Sequence, residues 1–495
     1  MSLNYNFIWL LCYLLVLVGL AGYGFHRLSI VYLYWKNRNN KPQPKARFQE
    51  LPVVTVQLPM FNEKFVVDRL LESVAALDYP QDKLEIQILD DSTDDTTEQC
   101  YRKVEELKSR GFDAVCIHRT DRTGFKAGAL EAATKVAKGE FLLILDADFV
   151  PEPDLLQKTI HFFTDENVGL VQTRWGHINR EYNLLTRIQG MYLDGHFAME
   201  QTARNRSGRF FTFNGTAGIW RKCVIGDAGG WSHDTLTEDM DLSYRVQLKG
   251  WRFIYLNDVV TPAELPVDMD GFKSQQHRWT KGSIQVCQKI LLDIWRSNAP
   301  LKAKVEATTH LTCNYSYLLL ALLCFLVYPI CTQRIPENET VFMWFVNVAL
   351  FFMTSVAVCI FYMSAQIVVR PKSWWKELPY LPLLLTLSVG MAVNNAKAVL
   401  EAIFGHQSAF VRTPKYGVDR KEDRRHVSQL KRNGYRAIKS VVIPVLEIAC
   451  GTFFLNLIII MIRQGHYLSP ILMIPFLGFY YTGFCSLGRM ISNLL

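Results

Sequence analysis

No two of the eleven cysteines form a C-x-x-C pair, and none stands at a metal-ligand spacing from a histidine. Neither a zinc module nor a disulfide framework is therefore expected. Cys313, Cys324, Cys331, Cys359, Cys450 and Cys485 lie in or beside apolar runs, where cysteine packs as a small apolar residue. Charge is also sparse. Charged residues make up 20% of the chain and hydrophobic ones 49%, which argues against long disordered stretches. The net charge of +8 is not spread over a surface as in a nucleic-acid-binding domain. It sits in two patches, Lys36 to Arg47 and Arg412 to Lys439, each beside an apolar stretch. That placement suits the cytoplasmic flanks of membrane spans, and no nucleic-acid partner is expected.

At 495 residues the chain has room for two or three domains. From Pro52 to about Trp295 it reads as soluble α/β, with apolar flanks on both sides. Phe7 to Phe25 is long enough to cross a bilayer and lacks the basic start and small-residue cleavage site of a secretory signal. The basic residues Arg27, Lys36, Arg38, Lys41, Lys45 and Arg47 follow it, which puts the soluble domain in the cytoplasm. Later apolar runs cover about 311–332, 342–369, 379–404, 441–462 and 468–488. The acidic turn Glu337-Asn338-Glu339 is expected outside, and Arg370-Pro371-Lys372 inside. Both flanks of 379–404 are basic and its second half, Asn394-Asn395-Ala396-Lys397 to Glu401, is polar. This run is expected to lie along the cytoplasmic face as an interfacial helix, leaving five spans; a sixth span that breaks the charge rule is the alternative.

Within the soluble region, Val53–Leu58, Leu84–Leu89, Ala114–His118 and Phe141–Leu145 have the composition of buried strands. They alternate with helices ending near Ala75, over Thr96–Lys108 and from Lys126. This alternation predicts a parallel sheet covered by helices on both faces, and in such sheets ligands bind beyond the carboxyl ends of the strands. Asp90-Asp91 and Asp146-Ala147-Asp148 stand at two of those ends. Asp146 and Asp148 lie two residues apart on an extended segment, so both can reach one hard cation. Asx turns also follow strands, an alternative for Asp90 and Asp91. Thr235-Leu236-Thr237-Glu238 fits a capping box with Glu238 at the third helical position. Asp239 is not needed for that box and is free to act as a general base. Gln275, Arg278 and Trp279 open an amphipathic stretch, where an arginine can hold diphosphate oxygens and an indole face can stack on a sugar; an interfacial Trp-Arg anchor is the alternative.

Read in order, the motifs resemble those of processive family 2 glycosyltransferases of the cellulose synthase type, above all the plant cellulose-synthase-like A and C groups and their bacterial relatives. They are Pro59-Met60-Phe61-Asn62-Glu63, Leu89-Asp90-Asp91-Ser92-Thr93-Asp94, Gly124-Phe125-Lys126-Ala127-Gly128-Ala129-Leu130, Asp146-Ala147-Asp148-Phe149, Phe213-Asn214-Gly215-Thr216-Ala217-Gly218, Glu238-Asp239-Met240-Asp241-Leu242 and Gln275-Gln276-His277-Arg278-Trp279. The resemblance implies an α/β cytoplasmic GT-A domain, Rossmann-like, inserted between α-helical transmembrane segments. It implies a nucleotide site made by Glu63, Asp90, Asp91, Lys126 and Arg278. Asp146 and Asp148 would hold Mg²⁺ or Mn²⁺. Asp239 would be the base, with Glu238 beside it, and Phe213, Asn214, Gly215, Thr216, Gln275 and Trp279 would line the acceptor. Phe410-Val411-Arg412-Thr413-Pro414-Lys415 is similar to the family's gating loop, F-x-V-T-x-K, with arginine in place of the valine; Thr413 and Lys415 would reach the nucleotide. Arg420 to Arg424 fits the R-x-x-x-R arm of bacterial cyclic-dinucleotide sensors, but no β-barrel domain follows it, and that regulation is not expected.

The expected layout is a first span and basic linker (1–50), the GT-A domain (51–265), amphipathic interface helices (266–305), spans two and three (306–370), the interfacial helix and gating loop (371–440) and two last spans (441–495). The expected activity is inverting, processive synthesis of a β-1,4-linked glucan or mannan from UDP-glucose or GDP-mannose, with export of the growing polysaccharide through a multi-pass protein in the lipid bilayer. A bacterial chain would sit in the plasma membrane and a plant chain in the Golgi. A non-processive enzyme acting on a lipid, or an inactive transporter or scaffold, are the alternatives.

Overall fold

The structure is a computed structural model and describes residues 2–332, 352–407, 413, 415–418, 441–464 and 470–492. The acidic turn at Glu337, the first part of the apolar run 342–369, Phe410, Val411, Arg412, Pro414 and the arm from Arg420 to Arg424 lie outside the described residues.

Seven strands form one sheet in the order β3-β2-β1-β4-β6-β5-β7. They are β1 Val54–Met60, β2 Leu84–Asp90, β3 Asp113–His118, β4 Phe141–Ile144, β5 Val168–His177, β6 Gly218–Arg221 and β7 Arg252–Ala263. The four strands expected from sequence are β1 to β4, and all three pairings among them are parallel. The sheet as a whole is mixed, because β6 runs antiparallel to both β4 and β5. That reversal has a consequence for chemistry. Gly218 at the start of β6 pairs with Ile144 at the end of β4, so the Phe213–Ala217 segment arrives at the same sheet edge as Asp146 and Asp148.

Both faces of the sheet are buried, as expected where helices cover a parallel sheet. Val54, Val56, Leu58, Ile86 and Ile88 pack with Val67, Leu70 and Leu71 of the Val67–Ala75 helix. Leu142, Ile144 and Trp220 pack on the other side with Ala129, Leu130 and Ala133 of the Phe125–Val136 helix. Alternate residues of β1 are polar yet fully buried, and each finds a partner on β2. Thr55 Oγ1 donates to Glu85 Oε2 at 2.6 Å, and Gln57 Nε2 donates to Gln87 Oε1 at 3.1 Å. Unpaired, such groups would cost about 1–3 kcal/mol each.

Apolar helices flank the sheet domain. Ser2–Asn37 is one unbroken helix, longer than the run read from sequence, and Val442–Arg463 is another; both are long and apolar enough to cross a membrane. Two bent pairs raise the number to four if each is one span: Leu301–Thr312 with Tyr315–Pro329, bent by 52°, and Trp374–Gly390 with Ala392–Ile403, bent by 41°. Pro470–Ser492 packs along Val442–Arg463.

The run 379–404 is therefore not one helix but two, breaking near Met391. Its first half approaches the last helix closely: a Cβ on Gly390 would stand 2.5 Å from the Gly478 carbonyl oxygen. The polar second half faces protein. Asn394 and Asn395 are buried, and Asn394 Nδ2 donates to the Lys273 carbonyl at 3.2 Å. Asn394 is thus accounted for by contact with the Met269–Arg296 helix, which carries Gln275, Arg278 and Trp279.

The same helix is joined to the last two helices by a buried ion pair. Lys273 Nζ lies 2.6 Å from Glu447 Oε2, 2.9 Å from Ser486 Oγ and 3.1 Å from the Thr482 carbonyl, with both charged side chains almost fully buried. Removing one partner leaves a buried charge uncompensated, which costs about 3–5 kcal/mol, whereas replacing both by apolar groups does not. Lys273→Met is expected to lower the unfolding midpoint of the detergent-solubilised protein strongly. Lys273→Met combined with Glu447→Leu should recover most of that loss.

Candidate active site

One cleft at the carboxyl edge of the sheet is lined by Glu63, Asp91, Lys126, Asp146, Asp148, Gly215, Glu238, Asp239, Gln275, Arg278, Trp279, Thr413 and Lys415. These thirteen residues come from segments more than three hundred positions apart in sequence, and all were expected at the site. Four other expected residues do not line the cleft. Asp90 is sealed beneath it and acts as a local brace. Its carboxylate takes the Ser92 amide at 3.1 Å, the Thr97 hydroxyl at 2.7 Å and the His118 ring at 2.7 Å, the first of these an Asx turn. Phe213 is buried and packs edge-on against Trp220. Thr216 is fully buried, and its hydroxyl accepts the Asp146 amide at 2.8 Å. Asn214 is held by Gln201 at 2.6 Å and by His196 at 3.0 Å. Phe213 and Thr216 thus shape the wall of the cleft from behind.

The cleft gathers carboxylates, and three of them, Asp91, Asp146 and Asp148, are each met by a cation. Arg119 grips Asp91 through two hydrogen bonds, Nη2 to Oδ2 at 2.6 Å and Nε to Oδ1 at 2.8 Å. Lys126 pairs with Asp146 and donates to the Gly215 carbonyl at 2.9 Å. Burial works against the Lys126 charge, but Asp146, Glu238 and Asp239 outweigh it and hold the ammonium above its ordinary value. Lys415 Nζ lies 2.6 Å from Asp148 Oδ2 and 3.0 Å from the Glu264 carbonyl. Two carboxylates suit a small hard cation that takes its remaining ligands from phosphate oxygens and water. Asp146 and Asp148 line the same cleft and offer such a donor set, each now occupied by a lysine.

Glu264 went unnoticed in the sequence. It follows β7 directly and receives the strap at Lys415–Val418: its carboxylate accepts the amides of Tyr416 at 2.9 Å, Gly417 at 3.0 Å and Val418 at 3.2 Å. An acid just past a strand end was a usable signal, but nothing nearby in sequence marks its partner. Arg119 was missed for the same reason, since it pairs with an acid on the neighbouring strand. Arg122 lines the cleft as well, its guanidinium 3.4 Å from the centre of the Phe61 ring.

Asp239 stands at the start of the Glu238–Leu248 helix. The capping box expected there is absent. Glu238 is the first helical residue rather than the third, and Thr237 at the cap makes no side-chain bond to the helix. Glu238 and Asp239 therefore both project from the first turn into the cleft. Burial, with the neighbouring Glu238 charge, pushes the Asp239 carboxyl up to about 7. One of its oxygens accepts the Met240 amide at 2.8 Å, and the other faces Gly215. A Cβ on Gly215 would stand 3.2 Å from that oxygen, and its φ of +81° is left-handed, so glycine fits the position on two counts. Across the cleft, Trp279 packs beside Leu193, Phe197 and Leu265, and Trp175 stacks on Phe197 at 4.6 Å.

Residues 52–282 match the family described as Glycosyltransferase like family 2. Glucomannan 4-beta-mannosyltransferase 2 of Arabidopsis thaliana is 42% identical over 286 residues, covering 54% of this chain and 53% of its own. Glucomannan 4-beta-mannosyltransferase 1 of Oryza sativa subsp. japonica is 41% identical over 277 residues, with 55% and 53% covered. The chain thus spans about half the length of these relatives. Among solved structures, a mannosyltransferase of Pyrobaculum calidifontis in complex with GDP-Man and Mn2+ superposes with a TM-score of 0.57 at 20% identity, covering 80% of this chain and 100% of that one. At that identity the likeness speaks for the GT-A fold alone. Over residues 52–282, the region that holds most of the cleft, the chain resembles the family 2 glycosyltransferases.

Proposed function

We propose that this chain is an inverting, processive mannosyltransferase that builds a β-1,4-linked mannan from GDP-mannose on the cytoplasmic side of a membrane and exports it. The observation that carries the reading is the cleft itself, in which a pair of cation-grade carboxylates, one carboxyl raised to about 7 and an Arg-Trp pair face each other. The mannose assignment draws on the names of the two plant relatives and on the GDP-Man of the archaeal structure. UDP-glucose, the other donor considered, finds no support in them.

In the reaction the acceptor hydroxyl oxygen bonds to the anomeric carbon, the bond from that carbon to the diphosphate breaks, and the hydroxyl proton passes to the Asp239 carboxylate. Glu238 keeps that carboxylate basic enough to take the proton. A divalent cation held by Asp146 and Asp148 would offset the diphosphate charge and stabilise the leaving group. Arg278 and Lys126 add fixed positive charge on the same side. Glu63 and Asp91 border the nucleotide, and Gly215, Gln275 and Trp279 border the acceptor sugar. Thr413 and Lys415 close the cleft. The basic residues that follow the first apolar helix support a cytoplasmic cleft. The complete set of carboxylates argues against an inactive transporter or scaffold, and the flanking apolar helices favour polymer export over transfer to a lipid.

Purified protein in nanodiscs is expected to turn GDP-mannose, but not UDP-glucose, into polymer that an endo-β-1,4-mannanase degrades, and to stop in excess chelator. Polymer from UDP-glucose alone would refute the donor; a single-sugar lipid product would refute processivity. Because Asp239 must be deprotonated to act, elongation should rise with pH through about 7. Asp239→Asn should abolish it while nucleotide binding persists. Glu238→Gln removes the like charge and should move the acid limb of the rate profile to lower pH.

A further inference from the structure

The cations of the cleft are not all matched. Arg119 is taken by Asp91, Lys126 by Asp146 and Lys415 by Asp148. Arg122 lines the same cleft, and among the described residues no hydrogen bond or ion pair engages its guanidinium; its Nε is shut off from solvent with no acceptor. Instead it rests on two rings, 3.4 Å from the centre of Phe61 and 5.5 Å from that of Phe125. The loops that carry these groups are fixed. Asp121 Oδ1 accepts the Thr123 amide at 2.9 Å and the Thr123 hydroxyl at 2.7 Å, and the Arg122 carbonyl accepts the Phe125 amide at 2.8 Å. Asn62, next to Phe61, donates its amide to Ser92 Oγ at 2.9 Å, and its side-chain oxygen accepts the Thr93 amide at 2.8 Å. Asn62 and Phe125 both hold left-handed backbone, with φ of +56° and +48°. That conformation is rare for an aromatic residue and collects where ligands are clamped.

Strand order locates this group relative to the chemistry. β2, β1, β4 and β6 are successive neighbours, so Asp91, then Phe61 with Glu63, then Asp146 with Asp148, then Gly215 follow one another along the sheet edge. In the proposed reaction the diphosphate belongs with the cation at Asp146 and Asp148, and the transferred sugar with Asp239 beside Gly215. The nucleoside then extends the other way, toward the ends of β1 and β2, about 5 and 10 Å from that of β4 at one and two strand spacings. Phe61, with Arg122 upon it, stands there. The guanidinium itself narrows the choice of base. Its paired N–H donors call for two neighbouring acceptors. Guanine offers O6 and N7 side by side, whereas adenine sets a donor beside its N7, cytosine presents a donor, and uracil presents one carbonyl beside a C–H.

We propose that Arg122 selects the base of the donor: its guanidinium takes O6 and N7 of guanine, so that a guanine nucleotide is favoured over a uracil one. This deepens the GDP-mannose assignment and rests on it. Arg122 stands on the nucleoside side of the Asp146–Asp148 pair, so it determines specificity and takes no part in the proton transfer at Asp239.

The test reads binding, not turnover. The full chain in nanodiscs, with Mn²⁺ present, is titrated with GDP, with UDP and with 7-deaza-GDP, in which a C–H replaces N7. The unmodified chain is expected to bind GDP most tightly, 7-deaza-GDP roughly tenfold more weakly and UDP roughly five- to a hundredfold more weakly. In Arg122→Gln the affinity for GDP should fall by a similar factor while UDP and 7-deaza-GDP lose little, so that the three converge. Arg122→Lys keeps the charge but not the fork, and should lose the penalty for removing N7 as well. Equal binding of GDP and 7-deaza-GDP by the unmodified chain would overturn the proposal without recourse to any variant. So would an equal loss on all three nucleotides in Arg122→Gln at an unchanged unfolding midpoint, which would put Arg122 on the diphosphate. An unmodified chain that binds UDP more tightly than GDP would defeat the donor assignment and this proposal with it. A preference for GDP that survives intact in Arg122→Gln would defeat this proposal alone.

Discussion

Carboxylates crowded at one sheet edge repel each other, and the rest of this structure is arranged around holding them there. Asp91, Asp146, Asp148, Glu238, Asp239 and Glu264 all reach one cleft. In a poorly solvated place, unlike charges a few ångströms apart attract far more strongly than in water. Arg119, Lys126 and Lys415 supply that attraction in the resting chain. The balance is local. Lys126 stands between Asp146 and the Glu238-Asp239 pair, so neutralising Asp146 by another cation would free Lys126 to act on Asp239 or on a phosphate. Lys415 belongs to a strap tied to Glu264 by three backbone amides, so its hold on Asp148 depends on the strap staying docked.

The scaffold explains why the groups meet. Parallel strands β1, β2 and β4 bring Glu63, Asp91 and Asp146 to the same edge. The reversed β6 brings Gly215, and the Met269–Arg296 helix brings Arg278 and Trp279 from the other side. That helix is fixed twice over, by Asn394 on its backbone and by the Lys273–Glu447 pair within the helical layer. The domain that carries the carboxylates and the helices suited to a bilayer are thereby joined at the element that closes the cleft.

Much of the site was legible in the sequence because Glu63, Asp91, Asp146 and Asp148 stand just past strands whose apolar runs are easy to see. What was not legible depended on side-chain direction or on partners distant in sequence. Asp90 and Asp91 are neighbours, yet one is sealed against His118 and the other faces the cleft, a choice set by strand alternation and the partner strand. Phe213 and Thr216 share a motif with Gly215 but turn inward, where Trp220 and the Asp146 amide await them. The cap pattern at Thr235 failed because the helix starts later than the box requires. The asparagines of 394 and 395 suggested solvent, when a neighbouring helix with an available carbonyl satisfied one of them. In each case local sequence set the element, and tertiary partners set which way its side chains face.

The proposed reaction requires Asp146 and Asp148 to exchange a lysine for a divalent cation carrying a nucleotide diphosphate. The most direct test is an experimental structure of the full chain with Mn²⁺ and GDP. The account predicts manganese density bridging the Asp148 carboxylate and the diphosphate, with Lys415 moved off Asp148. Manganese and GDP bound elsewhere, or the Lys415–Asp148 pair intact with the nucleotide in place, would contradict it.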